Sequence, residues 1–209
     1  MLEQTLREWR GLLDAPRASA DADGDLWIFG YASLIWRPEF DFVEQRLARV
    51  HGYHRALKMW SRVNRGTPEC PGLVFALLSG GSCQGMVFRI PQAQGEAALR
   101  QLWPREMPNP VYDPKWLRCK LDGAPDGAPG KAVWALAFTL SRRSPNFTGT
   151  LSAAQYRQIF SAACGRYGTT WDYAGLTLTH LQALGIRDRA LERLLRHAPR
   201  QVSCPPQAT

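Results

Sequence analysis

The chain has 209 residues, 45% of them hydrophobic and 21% charged, with 26 basic against 18 acidic side chains and a net charge of +8. This is ordinary globular composition and excludes a disordered or collagen-like chain. No apolar run approaches the ~20 residues of a membrane-spanning helix, and a chain of this length makes one domain, at most two.

The basic excess is almost all arginine, 22 residues against four lysines. The arginines run from Arg7 to Arg200 without a dense cluster. Nucleic-acid binding is therefore not the expected use, and arginines beside a cleft would instead attract a small anionic substrate. The five cysteines, Cys70, Cys83, Cys119, Cys164 and Cys204, are odd in number and no two have metal-ligand spacing. Neither a disulfide framework nor a zinc site is expected, and a reducing cytoplasm is the expected compartment.

Residues 1–25 read as an N-terminal helical extension. Leu2, Leu6, Trp9 and Leu13 recur at helical spacing, with charges where a signal peptide needs its apolar stretch. This amphipathic face is expected to pack on the body of the protein and not on a membrane. A turn at Ala20–Asp25 ends the extension, and Leu26–Gly30 reads as a buried strand running into a loop. Residues 42–60 predict one or two strands broken at Gly52. Asn64–Gly72 is a breaker-rich loop. Leu73–Leu78 and Gly85–Ile90 predict a strand pair turning at Gly80-Gly81. Gln92–Trp103 predicts a helix, with Pro104 just beyond it disturbing the last turn.

Two more strands are expected at 111–121 and 131–140, joined by an exposed turn over Asp122–Gly130. Ser152 suits the N-cap of a helix reaching about Cys164. Thr170 or Asp172 starts another, to about Leu184, and Asp188 caps a last one. Pro205-Pro206 opens a frayed tail at 201–209. Strands first and helices last, without regular alternation, point to an α+β fold.

Three segments have chemical potential. Phe29-Gly-Tyr-Ala-Ser-Leu-Ile-Trp36 leaves a buried strand with small residues, so its successive backbone N–H groups can cradle an anion. The plain alternative is a tight turn with core aromatics. Arg65-Gly-Thr-Pro-Glu-Cys-Pro-Gly72 is a well-defined loop that either walls a pocket or merely joins two strands. In Leu102-Trp-Pro-Arg-Glu106 the carboxylate of Glu106 follows a helix. Burial near Trp103 and the negative end of the helix dipole would both raise its pKa and make it a better base. Arg105 would oppose this if turned inward, and a surface Arg–Glu pair is the alternative.

Other chemistries lack their patterns. His51 and His54 are three apart without His-Glu-x-x-His, and neither Gly-x-Ser-x-Gly nor Gly-x-Gly-x-x-Gly is present. The residues alone point to a metal-free enzyme or binder of a small anionic molecule.

Taken in order, these segments resemble the ChaC-like gamma-glutamylcyclotransferases from about Leu26 to Leu184. The family's Phe-Gly-Tyr-Gly-Ser-Leu-Ile-Trp matches residues 29–36, and its Arg-Gly-Thr-Pro-Glu-x-Pro-Gly loop matches 65–72. Cys83-x-Gly-x-Val-Phe-Arg-Ile-Pro91 matches the next family strand. Glu106 falls in the Leu-x-x-Arg-Glu segment, with Tyr112 shortly after, and Asp172-Tyr173 sits where a tyrosine opens a late helix.

The resemblance implies a domain over 26–200 with a small mixed β-barrel core and surrounding helices. It implies that the α-amine of glutathione attacks its own γ-glutamyl carbonyl, giving 5-oxoproline and cysteinylglycine without metal or cofactor. Glu106 is the implied general acid/base. Gly30, Tyr31, Ala32, Ser33, Leu34 and Ile35 would hold the γ-glutamyl carboxylate, with Tyr31 and Tyr173 lining the pocket and Arg65 as electrostatic support. The implied partner is a small γ-glutamyl compound, with no nucleic acid and no membrane. A γ-glutamylamine or γ-glutamyl amino acid remains an alternative substrate, as does a non-catalytic binding module on the same fold. Ala32 replaces the family's glycine. It costs ~1 kcal/mol or shifts the loop if that position needs a positive φ, and is tolerated if only a small side chain is needed. The sequence leaves the oligomeric state open.

Overall fold

A computed structural model describes residues 1–14, 24–123 and 131–196. Most of the expected 122–130 turn and the whole 201–209 tail lie outside the described residues. The chain divides into two compact units, one of Met1–His54 with Leu77–Thr139, the other of Arg55–Ala76 with the chain from Leu140.

The first unit is built on a barrel. Its strands are β1 (Leu26–Gly30), β2 (Glu44–Ser61), β3 (Gly72–Ile90), β4 (Asp113–Leu121) and β5 (Ala132–Thr139), with the far ends of β2 and β3 running on into the second unit. They close in the order β1-β3-β2-β4-β5. β1 runs antiparallel to β3, from Leu26↔Ile90 to Gly30↔Met86, and parallel to β5 through Trp27↔Ala135 and Ile28↔Leu136. Closure leaves every residue of β1 buried, which is why Leu-Trp-Ile-Phe is apolar throughout and does not alternate. Phe29, Phe88 and Phe138 are fully buried, each contributing roughly 1.5–3 kcal/mol by burial. The fold is α+β with a closed five-stranded barrel, as the resemblance implied.

One expectation about strands is corrected, and one left open is resolved. Gly80-Gly81 does not separate a pair of strands, because β3 runs unbroken through both at φ +97° and +74°. Gly52, at φ +83°, likewise leaves β2 a single strand. Glycine takes this conformation without a Cβ clash, so the strands continue through positions where other residues would end them. His54 Nδ1 lies 2.8 Å from the Gly80 carbonyl oxygen.

Helix α1 (Leu2–Asp14) lies against α2 (Gln92–Glu106). Leu6 and Trp9 are buried, and the Trp9 ring occupies the space beside Gly95, where an added Cβ would stand 2.2 Å from it. Arg10 pairs with Glu96 at 2.7 Å, and Arg100 with Glu3 at 3.0 Å. α2 runs past the predicted end at Trp103. Pro104 sits within its last turn, exposed, and Met107 still donates to the Trp103 carbonyl at 2.7 Å. The missing N–H of proline removes one helical bond, and the turn continues around it.

The second unit carries α3 (Ala153–Ala162), the short hairpin β6 (Cys164–Gly165) and β7 (Gly168–Thr169), α4 (Thr170–Ala183) and α5 (Arg189–Arg196). Ser152 and Thr169 cap α3 and α4 with reciprocal capping boxes to Gln155 and Asp172. Asp188 accepts from Leu191 N–H at 3.0 Å and pairs with buried Arg55 at 3.0 Å. Two-residue strands carry no readable alternation, so β6 and β7 were not predicted. Cys164 is disulfide-bonded, a bridge the spacing of the cysteines did not lead us to expect. Cys70, Cys83 and Cys119 are free thiols, and burial pushes Cys119 up to about 12. No described helix is long and apolar enough to cross a membrane.

Candidate active site

The anion-cradle candidate sits where β1 leaves the barrel. Gly30 ends the strand, and a 3₁₀ turn over Ser33–Ile35 follows. Ile35 N–H donates to the Ala32 carbonyl at 2.9 Å and Arg37 N–H to that of Ser33, also at 2.9 Å. The N–H groups at the start of such a turn have no partner within it. The turn is tight. A Cβ at Gly30 would stand 3.0 Å from that of Leu34, and one at Gly85 of β3 would stand 2.4 Å from the Gly30 carbonyl oxygen. Ala32 has φ −144° and is 6% exposed, so the position is buried and does not use a left-handed backbone. Tyr31 is buried and its hydroxyl donates to the Phe138 carbonyl at 2.9 Å, fixing the loop to β5.

Glu106 lies in the last turn of α2 with its side chain 14% exposed. It is paired with the adjacent Arg105, Nε to Oε1 at 3.2 Å, but this is no surface pair. Burial pushes the Glu106 carboxyl above its ordinary range. Arg105 pulls it down, and the negative charge of Glu39 adds to the rise. Desolvation is the largest effect, so the nearby cation weakens the shift without reversing it. Trp103 and Tyr112 meet the Phe138 ring edge-on at centroid distances of 6.0 and 6.2 Å, giving this end of the unit an aromatic lining.

Arg105 joins the loop to Glu106. Its Nη2 lies 3.4 Å from Ser33 Oγ, and its Nη1 bonds the carbonyls of Arg37 and Pro38 and the Glu39 carboxylate, the last at 2.8 Å. Sequence reasoning missed Glu39. Its only sequence signal was a charge between Pro38 and Phe40. A cavity of about 580 Å³ opens beside it, lined by Glu39, Phe40, Asp41, Gln101, Leu102 and Arg105.

In the second unit the structure brings Arg65 and Tyr173 together. The Arg65 guanidinium lies 4.8 Å over the centre of the Tyr173 ring, and its Nη1 donates to the Tyr167 carbonyl. Tyr173 also packs on Phe75 at 5.5 Å. The 65–72 loop is clamped at both ends. A Cβ at Gly72 would stand 1.9 Å from the Arg65 carbonyl oxygen, and Leu73 N–H donates to buried Thr170 Oγ1 at 2.8 Å. The loop thus has a fixed shape beside the start of α4. Among the described residues no group of three or more His, Cys, Asp or Glu side chains could hold a metal ion.

A family model described as ChaC-like protein matches residues 26–201. The chain is 34% identical over 183 residues to a glutathione-specific gamma-glutamylcyclotransferase of Escherichia coli (strain K12), covering 88% of this chain and 77% of that one. It is 33% identical over 192 residues to glutathione-specific gamma-glutamylcyclotransferase 1 of Rattus norvegicus, covering 88% and 85%. The crystal structure of a glutathione-specific gamma-glutamylcyclotransferase from yeast shares the fold, with a TM-score of 0.73 at 18% identity over 83% of this chain and 95% of that one.

Proposed function

The chain belongs to the ChaC-like family, and from that premise we propose that it is a gamma-glutamylcyclotransferase acting on glutathione, with Glu106 as general acid/base. The observation that carries the residue assignment is the buried Glu106 carboxylate, raised in pKa and linked through Arg105 to the Ser33 loop. The names of the E. coli and rat relatives support glutathione as substrate.

The chemistry follows from the substrate. Its α-ammonium is not a nucleophile until it loses a proton. Glu106 takes that proton, and the freed amine attacks the γ-carbonyl to form a five-membered ring. As the tetrahedral intermediate collapses, the C–N bond to cysteine breaks. Glu106 returns its proton to the leaving nitrogen and then relays the second proton of the ring nitrogen the same way. Two protons pass from attacking to departing nitrogen, and the carboxylate ends as it began. A carboxyl raised above its ordinary range suits both halves of this relay, because it is a stronger base and still a competent acid. The nucleophile lies within the substrate, so the enzyme's task is to hold amine and carbonyl near ~3 Å.

The backbone N–H groups of the Gly30–Ile35 loop are the proposed holders of the substrate α-carboxylate, which leaves the α-amine free. Donors of this kind are worth most in a dry site. Arg65 and Tyr173 are the proposed substrate contacts of the second unit, supported by their mutual packing. Reduced glutathione as substrate makes the cytoplasm the proposed compartment. The non-catalytic alternative rested on Ala32, and a φ of −144° there gives it no support.

The test is incubation with glutathione and mass spectrometry of the products, beside Glu106→Gln. Equimolar 5-oxoproline and cysteinylglycine from wild type alone is the expected result. Full activity of Glu106→Gln would remove Glu106 from the relay. Turnover of a γ-glutamylamine or γ-glutamyl amino acid, but not of glutathione, would overturn the substrate.

A further inference from the structure

Glu39 is the one described non-glycine residue with a positive φ, at 57°. A long side chain is strained there, and such strain persists where surrounding contacts over-determine the backbone. Glu39 has such contacts on both its carboxylate and its carbonyl. Its carboxylate accepts from Arg37 Nε and from Arg105 Nη1, and its carbonyl accepts from Gln101 Nε2 at 2.9 Å. Two of the three partners, Gln101 and Arg105, come from the second half of α2, the helix that ends in Glu106.

We propose that Glu39 is a positioning residue: it holds the Arg105 guanidinium between the Ser33 hydroxyl and the Glu106 carboxylate, so that loop and acid/base keep one geometry. The guanidinium has five donors in a rigid fork. Nη1 is occupied by Glu39 and the Arg37 and Pro38 carbonyls, which leaves Nη2 toward Ser33 and Nε toward Glu106. Without the Glu39 anchor, Arg105 would be free to turn its fork onto Glu106 and form a closer pair. That pair would stabilise the carboxylate and weaken the base. It would also release Ser33. The inference rests on the reading of Glu106 as the acid/base, but not on the identity of the substrate.

The charged groups around this site are few. Glu106 faces Arg105 and Glu39. Glu39 faces Arg37 and Arg105, and Asp41 shares its cavity. Two removals therefore act in opposite directions. Glu39→Gln deletes a negative charge and frees Arg105, and both effects lower the Glu106 pKa. Arg105→Gln deletes the cation and raises it. A merely structural role predicts something else. Loosening this corner would admit water to Glu106 and lower its pKa in both variants alike.

The experiment follows the Glu106 side-chain carboxyl by ¹³C NMR against pH in wild type, Glu39→Gln, Glu39→Gly and Arg105→Gln, with the resonance assigned by its loss in Glu106→Gln. The acid limb of kcat with glutathione is measured alongside. Glu39→Gly keeps the backbone at ease, because glycine accepts a positive φ, so it is expected to fold with an unchanged or higher melting temperature. Both Glu39 variants should shift the titration and the acid limb to lower pH and reduce kcat roughly tenfold at neutral pH. Arg105→Gln should shift both to higher pH. An unchanged titration in the Glu39 variants, or shifts of the same sign in all three, overturns the proposal. Opposite shifts in the NMR titration without turnover of glutathione would uphold the positioning role and overturn the substrate.

Discussion

Glu106 is held in an environment that disfavours its charge, and this has consequences for stability as well as catalysis. Its pKa in the folded protein lies above the ordinary carboxylate value, because burial outweighs the Arg105 cation. The folded state therefore keeps a proton that the unfolded chain has released. Between the ordinary and the raised pKa, stability falls as pH rises. Glu106→Gln has no such window. It should be more stable than wild type at about pH 8, with the difference vanishing below the ordinary carboxylate range. Denaturant titrations at both pH values check this, and a wild type that gains stability over Glu106→Gln as pH rises would contradict it. The same shift predicts that the acid limb of the rate profile lies above the ordinary carboxylate value, since activity is lost as Glu106 takes up its proton. A limb at or below that value would contradict the burial argument. The place of Glu106 at the end of a predicted helix, beside Trp103 and Pro104, marked this residue in the sequence. The grip of Glu39 on Arg105 joins residues 66 positions apart and has no local signature.

The elements carry their own signals unevenly. Caps at Ser152 and Asp188 were legible because they are local, each hydrogen-bonding within three residues of itself, whereas the cap of α4 is Thr169, one residue before the Thr170 or Asp172 start expected. Ser152→Ala should cost about 1 kcal/mol in denaturant unfolding, and no loss would mean that α3 is fixed by packing alone. The pairing of α1 with α2 was legible only on one side. The stripe of Leu6 and Trp9 announced a buried face, but nothing along the chain set Gly95 apart as the matching notch. Trp9→Ala should cost about 3–5 kcal/mol, and Gly95→Ala should displace α1, seen as increased exposure and shifted emission of Trp9. Unchanged emission and stability in both would show that α1 does not rest on α2. Gly80-Gly81 was misread as a turn, and Gly52 left one strand or two open, because glycine signals a positive φ without saying whether the strand continues beyond it.

At the scale of the whole molecule, the net charge is +8. Arg10, Arg37, Arg46, Arg55, Arg89, Arg100 and Arg105 all face carboxylates. Each pair cancels one charge of either sign and leaves the excess at +8, but the arginines are spread from Arg7 to Arg200 without a dense cluster, and elution from a heparin column at low salt is the expected result. Retention to high salt would revive a nucleic-acid partner.

The sequence by itself determined the fold class, the helix starts, the family and the candidate acid/base. These are written in local periodicity, in capping residues and in short ordered motifs. Barrel closure, the choice of φ at Ala32 and Glu39, the notch under Trp9 and the placement of Arg105 between Ser33 and Glu106 were decided by tertiary structure. Each of these depends on groups distant in the chain meeting in space, where a missing Cβ, an excluded water or an opposing charge fixes the geometry. No window along the chain contains both partners of such a meeting.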